Sequence, residues 1–169
     1  MRIVVGVDPP ASKGGDACGI VVVGLDRDAN GWVLDDASVA HAGPEEWARA
    51  VVGAAARWGA DRVVVEANQG GDMVEATLRA VHGGRGLPIR LAHARAGKGA
   101  RAEPVSALYA AGRMRHAGAF PRLEDELSGM TARGYRGPGR SPDRADALVW
   151  AAGELMLGEA EEPPRVRAL

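Results

Sequence analysis

The stretch Arg2-Ile3-Val4-Val5-Gly6-Val7-Asp8 decides how this chain is read. It is a continuous, largely β-branched run, the pattern of a strand buried on both faces, and it ends on a carboxylate. A second run of the same kind, Arg62-Val63-Val64-Val65-Glu66, also ends on an acid, although Glu is disfavoured in strands. A carboxylate at the end of a β-run is poorly placed for packing and well placed to face a site at the strand tip. Asp143 and Asp146 lie three apart in Ser141-Pro-Asp-Arg-Ala-Asp-Ala-Leu-Val-Trp150, a stretch that reads as a helix start, so they are neighbours on one helix face. Taken singly, most of these acids have a bland reading. Asp8 precedes Pro9-Pro10 and could start a turn, Glu66 could be a satisfied structural residue, and Asp143 could complement the helix dipole. Asp146 has less structural excuse, because it stands just before an apolar run. Taken together, two strand ends and one helix start can gather three or four carboxylates. Such a cluster repels itself unless cations neutralise it, and Mg²⁺ or Mn²⁺ prefers oxygen ligands. The pattern points to metal-dependent phosphodiester chemistry.

Working outward, residues 18–26 and 32–40 read as two further strands, separated by the turn signal Asp28-Ala-Asn-Gly31, and with residues 2–8 they form an expected antiparallel meander. Residues 9–17 read as a turn. Pro44-Glu-Glu46 opens a helix that runs to Gly59, with Pro in the first turn and acids at the positive end of the dipole. Strands follow at 61–66 and 88–92, with a short helix at 72–82 between them. Residues 93–100 read as a basic glycine-containing loop, Pro104 to about Met114 as a helix, 122–130 as a short helix, and 131–140 as a mobile segment without periodicity. Ser141 is the expected cap of a last helix that has Pro142 at its first position and runs through Leu157. The arrangement predicts an α/β layered domain with a mixed sheet over residues 1–158, followed by a polar tail over 159–169.

Composition narrows the class. A chain of 169 residues, 46% hydrophobic and 25% charged, can bury a core as one domain. Aromatics are only 4%, so that core rests on Val, Leu, Ile and Ala. A net charge of −1 argues against a bulk-basic nucleic-acid binder and leaves a local basic face open. The single Cys18 excludes an intrachain disulfide or a thiolate zinc site and reads as a small buried hydrophobe. Neither a signal peptide nor a membrane span is expected, and the setting implied is cytoplasmic, a host cytoplasm if the gene is phage-borne.

Other motifs are weaker. His41, His82, His93 and His116 show no ligand spacing and read as surface or edge residues. Gly97-Lys98-Gly99 lacks the glycine and Ser/Thr of a P-loop, so no ATPase motor is expected here, and no nucleophile elbow is present. Lys98 and Arg101 suit phosphate contact from a flexible loop, against a bland reading as solvated cations. Arg133-Gly-Tyr-Arg-Gly-Pro-Gly-Arg140 is balanced between linker and DNA contact.

Val64-Val-Glu-Ala-Asn-Gln-Gly-Gly-Asp-Met73, Lys98-Gly-Ala-Arg-Ala-Glu-Pro104 with Leu108-Tyr109, Leu123-Glu-Asp-Glu-Leu127 and Ser141-Pro-Asp-Arg-Ala-Asp-Ala-Leu-Val-Trp150 follow one another in an order that resembles the nuclease domain of the phage DNA-packaging terminase large subunit, a domain type also found in phage-like gene transfer agents. The likeness spans roughly 2–157. It implies an RNase H-like fold and a metal-dependent endonuclease that cuts concatemeric double-stranded DNA, leaving 5′-phosphate and 3′-hydroxyl ends. Two ions, Mg²⁺ or Mn²⁺, are implied. By position Asp8, Glu66 and Asp146 match the catalytic acids, with Asp143 as an auxiliary ligand and Lys98 and Arg101 on backbone phosphates. The implied partners are double-stranded DNA, a terminase ATPase domain or subunit, the portal and the small terminase subunit. A full-length large subunit carries its ATPase before this domain, whereas Met1 here directly precedes the first strand, so an excised domain or a stand-alone product is expected. A Holliday-junction resolvase of the RuvC type shares the acidic pattern and is the second reading; a non-catalytic module docking on DNA or a portal is the third.

Overall fold

The structure, a computed structural model, describes residues 1–10, 17–68, 70–94, 96–131 and 134–158. Most of the turn expected at 9–17 and all of the expected tail therefore lie outside the described residues, as do Arg95 and Arg133 of the two basic segments.

Strands β1 (Arg2–Asp8), β2 (Gly19–Leu25) and β3 (Gly31–Asp36) form the expected antiparallel meander. Helix α1 (Pro44–Trp58) follows, then β4 (Arg62–Glu66), α2 (Gly71–Ala80), a 3₁₀ turn, β5 (Ile89–Ala92) and α3 (Lys98–Ala110). The rest comprises β6 (Met114–His116), α4 (Pro121–Gly129), β7 (Met130–Thr131), β8 (Gly134–Tyr135), α5 (Asp143–Ala152) and a π-helical turn, Gly153–Leu157. The six-stranded sheet has the order β5-β4-β1-β2-β3-β6, with β4 parallel to β1, β5 parallel to β4 and β6 parallel to β3. This is the RNase H-like mixed sheet that the sequence predicts.

Alternation along the central strands builds two cores. Val5, Val7, Val63 and Val65 face α1 and α2, where they meet Trp47, Val51, Val74 and Leu78. Val4, Val21 and Val64 face the other way, against Val105 of α3, Leu123 of α4 and Ala147, Leu148 and Ala151 of α5. Helix α1 keeps its expected ends, with Pro44 at its start, Glu45 and Glu46 in the first turn, and Gly59 at φ 58° beyond its end, a left-handed conformation that favours glycine.

Helix α5 is covered on nearly every side, and only Trp150 among its residues is partly exposed. Two glycines let it lie this close. A Cβ on Gly6 would stand 2.0 Å from the Ala147 carbonyl oxygen, and one on Gly19 would stand 1.9 Å from that of Asp143. Glu154 in the π-helical turn accepts hydrogen bonds from Arg62 and Arg90 and ties the far end of the helix to β4 and β5.

Several expectations are corrected. Helix α3 begins at Lys98, six residues before Pro104, and takes the proline into its interior. A proline inside a helix removes one hydrogen bond, which is why Pro104 read as a start. Strand β6 occupies the place read as the end of that helix; three residues with Arg115 in the middle carry no apolar run. Met130–Thr131 and Gly134–Tyr135 form a small hairpin inside the segment read as aperiodic. Ser141 does not cap α5: the helix starts at Asp143, and neither Ser141 nor Pro142 donates a cap.

Replacing Gly6 with Ala should drive α5 from the sheet and lower stability by about 1–3 kcal/mol. Gly53→Ala, at an exposed α1 position where a Cβ meets nothing within 4 Å, should instead raise it by about 0.5–1 kcal/mol. Urea unfolding of both variants beside wild type checks the contrast; equal midpoints would refute the close-approach argument.

Candidate active site

The site is assembled by register and by the close helix. Val7 pairs with Val65 across β1 and β4, so Asp8 and Glu66, each one residue further on, end adjacent parallel strands. Both continue the sheet face that carries Gly6 and Val64, the face α5 covers. The first turn of α5 then brings Asp143 and Asp146 over these strand tips. All four acids singled out in the sequence therefore meet at one end of the sheet, three of them buried: Asp8, Asp143 and Asp146 are 9%, 7% and 1% exposed.

The acids feel one another. Burial, and after it the charges of Glu66, Asp146 and Asp143, raise the Asp8 carboxyl well above the ordinary aspartate value, with Lys98 opposing. Burial also raises Asp146, against the pull of Lys98 and Arg101. At Lys98 burial works to lower the pKa, but the Asp146 hydrogen bond and the charges of Asp146, Asp8 and Glu66 outweigh it and leave the ammonium above its ordinary value.

The two cations differ in attachment. Lys98 Nζ donates to Asp146 Oδ2 and, at 3.2 Å, to Ser141 Oγ, while its side chain remains 46% exposed. Arg101, one turn further along α3, is only 12% exposed. Its guanidinium lies over the Trp150 ring at 4.5 Å and approaches Glu66 Oε1 at 3.9 Å and Asp146 Oδ1 at 3.8 Å. Its Nε and Nη1 are buried without a hydrogen-bond partner. Trp150 Nε1 donates to Glu66 Oε2 at 3.0 Å, and Asn68 donates to Glu66 Oε1, so the glutamate is held from two sides. Lys98 and Arg101 thus occupy a helix rather than the flexible loop expected. With them among the carboxylates, no three acid, His or Cys groups of the described residues converge on one point. The donor set nevertheless fits a hard divalent cation: it is all oxygen, and four acids that repel one another stand together.

Three residues that sequence reasoning missed hold the first turn of α5. Glu126 of α4, buried, accepts the backbone N–H groups of Arg144 at 2.8 Å and Ala145 at 3.1 Å, serving as the helix cap from another element. Arg144 Nη1 donates to Glu126 Oε1 at 3.0 Å and Arg144 Nε to Asp36 Oδ2 at 3.1 Å. The only sequence signal was an acid inside an amphipathic helix, Leu123-Glu-Asp-Glu-Leu127, which names no partner. His116, read as a surface or edge residue, stands on the edge strand β6. Its ring joins Tyr109 Oη at 2.7 Å to Glu124 Oε1 at 3.0 Å, pinning β6 between α3 and α4. The Phe120 N–H and then this imidazole hold Glu124 below the ordinary glutamate value.

The family model of the terminase RNaseH-like domain matches residues 5–154 of the chain. Among solved structures, the chain is similar to the large terminase nuclease from thermophilic phage G20c, with a TM-score of 0.69 and 18% identity over 90% of this chain and 82% of that one. That nuclease has also been solved with bound magnesium, cobalt and zinc. The HK97 bacteriophage large terminase gives a TM-score of 0.62 at 16% identity, covering 91% of this chain and 40% of the other. The yeast mitochondrial Holliday junction resolvase Ydc2 gives 0.58 at 11% identity over 90% and 78%. No curated protein matches the sequence. At these identities the structural likenesses establish the fold.

Removing the cap should be costly. Glu126→Ala leaves the Arg144 charge and two helix N–H groups short of a partner in a buried setting, and should lower stability on the order of 3 kcal/mol; Glu126→Gln, which keeps an acceptor oxygen, should lose less. Urea unfolding of the pair tests this, and equal losses would refute the capping assignment.

Proposed function

This chain belongs to the terminase RNase H-like domain family, and on that premise we propose that it is a divalent-metal-dependent endonuclease that cuts concatemeric double-stranded DNA during genome packaging. The observation that carries this reading is the juxtaposition of Asp8 and Glu66 at the tips of adjacent parallel strands beneath the helix turn bearing Asp143 and Asp146. The magnesium-bound terminase nuclease of the same fold supports the choice of ion.

Asp8, Glu66 and Asp146 would hold two Mg²⁺ or Mn²⁺ ions, with Asp143 as an outer or alternate ligand. Ions bound there would supply an activated water and stabilise the departing 3′-oxygen. The chain's own residues perform the positioning. Trp150 and Asn68 fix the Glu66 carboxylate, and the Glu126 cap fixes the turn that carries Asp143 and Asp146. Lys98 and Arg101 stand where backbone phosphates would pass, and such contacts hold DNA without reading its sequence. Cutting is therefore expected to be largely sequence-independent, and binding to weaken steeply with salt. The partners proposed are duplex DNA, a terminase ATPase domain or subunit, the portal and the small subunit. The setting proposed is the host cytoplasm; no helix among the described residues is long and apolar enough to cross a membrane.

The second reading, a Holliday-junction resolvase, draws on the likeness to Ydc2 and on the same acidic pattern. Plasmid cleavage in Mn²⁺, Mg²⁺ and EDTA, with wild type beside Asp8→Asn and Asp146→Asn, tests the proposal. Cutting should need metal and vanish in both variants, while Asp143→Asn should cut more slowly than wild type. Wild-type rates in the first two variants would overturn the site assignment, and preferential cutting of four-way junctions over linear duplex would favour the resolvase.

A further inference from the structure

Asp146 is 1% exposed, and a carboxylate so buried is stable as an anion only with a counter-charge. Two cations reach it, and their attachments divide them. Arg101 is fixed: its side chain is only 12% exposed, stacked on Trp150 and set between Glu66 and Asp146. Lys98 is movable: it is the first residue of α3, flanked by Gly97 and Gly99, its stem is half exposed, and among the described residues Asp146 and Ser141 hold its ammonium. An ion that takes the Asp146 oxygen now accepting from Lys98 has to replace the ammonium at that oxygen. The stem can carry the charge out toward solvent, where a backbone phosphate is the natural partner.

We propose that Lys98 is a displaceable counterion, occupying Asp146 in the DNA-free protein and leaving it when a DNA phosphate takes its ammonium, so that divalent-ion uptake and DNA binding favour each other. The inference rests on the nuclease reading above and deepens it. It assigns Lys98 two successive partners, and coupling of this kind is reciprocal by thermodynamic necessity. The DNA-free protein then binds divalent ions weakly, which guards against cutting where no substrate is engaged.

The test is Mn²⁺ titration of DNA-free protein, read by the electron paramagnetic resonance of free Mn²⁺, on wild type, Lys98→Met, Lys98→Gln and Lys98→Arg. Met and Gln variants should bind Mn²⁺ roughly tenfold tighter, within the usual range for coupled sites, and Arg should stay near wild type. Without metal, Lys98→Met should melt below wild type, and Mn²⁺ should restore it. Unchanged or weaker Mn²⁺ binding in both neutral variants would overturn the proposal. Plasmid cleavage by wild type separates the two levels: cutting in Mn²⁺ with no gain in Lys98→Met sinks the counterion role alone. Absence of both cutting and Mn²⁺ binding in every protein sinks the nuclease reading as well.

Discussion

The close approach of α5 to the central strands governs everything functional in this fold. Gly6 and Gly19 sit where any Cβ would enter the backbone of the helix. Because they are glycines, the helix settles directly onto β1 and β2, and its first turn reaches the strand tips. Were the helix held off by a methyl group on either strand, Asp143 and Asp146 would stand away from Asp8 and Glu66, and the acids would form two separate pairs. Packing on one face of the sheet thus sets the electrostatics at its end.

That geometry creates a cost which the surrounding residues meet in different ways. Burying three aspartates beside a glutamate opposes folding through desolvation and mutual repulsion. Arg101 offsets part of it permanently, aided by its stacking on Trp150, and Lys98 offsets part of it conditionally. The chain Asp36–Arg144–Glu126 does something else. Its two acids share one guanidinium, and its role is to fix the α5 N-terminus through two backbone hydrogen bonds. Stability is concentrated beside the acids, and the acids themselves remain under electrostatic strain that a divalent cation would relieve.

How much of this was legible in the sequence follows from the range of each interaction. Strands β1 and β4 and helix α1 were readable because their signals are local: apolar runs, a proline start, acids in the first turn and a terminal glycine. The four acids were readable because, taken together, they stand at the ends of two strands and the start of one helix. The β6 strand was not, since three residues pairing with β3 carry no pattern of their own. The start of α3 was hidden by Pro104, whose local meaning is a boundary and whose cost the tertiary packing of Val105 and Leu108 overrides. Glu126 was invisible as a cap because its partners lie 18 and 19 residues away. Arg101 and Lys98 read alike as basic residues; only burial separates the fixed cation from the movable one.

The distinction between those two cations bears on what a shared fold can decide. The same fold serves a large terminase nuclease and a Holliday junction resolvase, so the fold leaves the substrate open. Substrate choice must come from elements around the site that meet the DNA backbone. In this chain the first turn of α3, which delivers Lys98 and Arg101, is the element that borders the acids. Placing the cations on a helix rather than a loop fixes their spacing to one turn, and the Trp150 stack sets one of them against the sheet. The stacked Arg101 is held in place, while Lys98 at the helix start keeps the freedom to change partner.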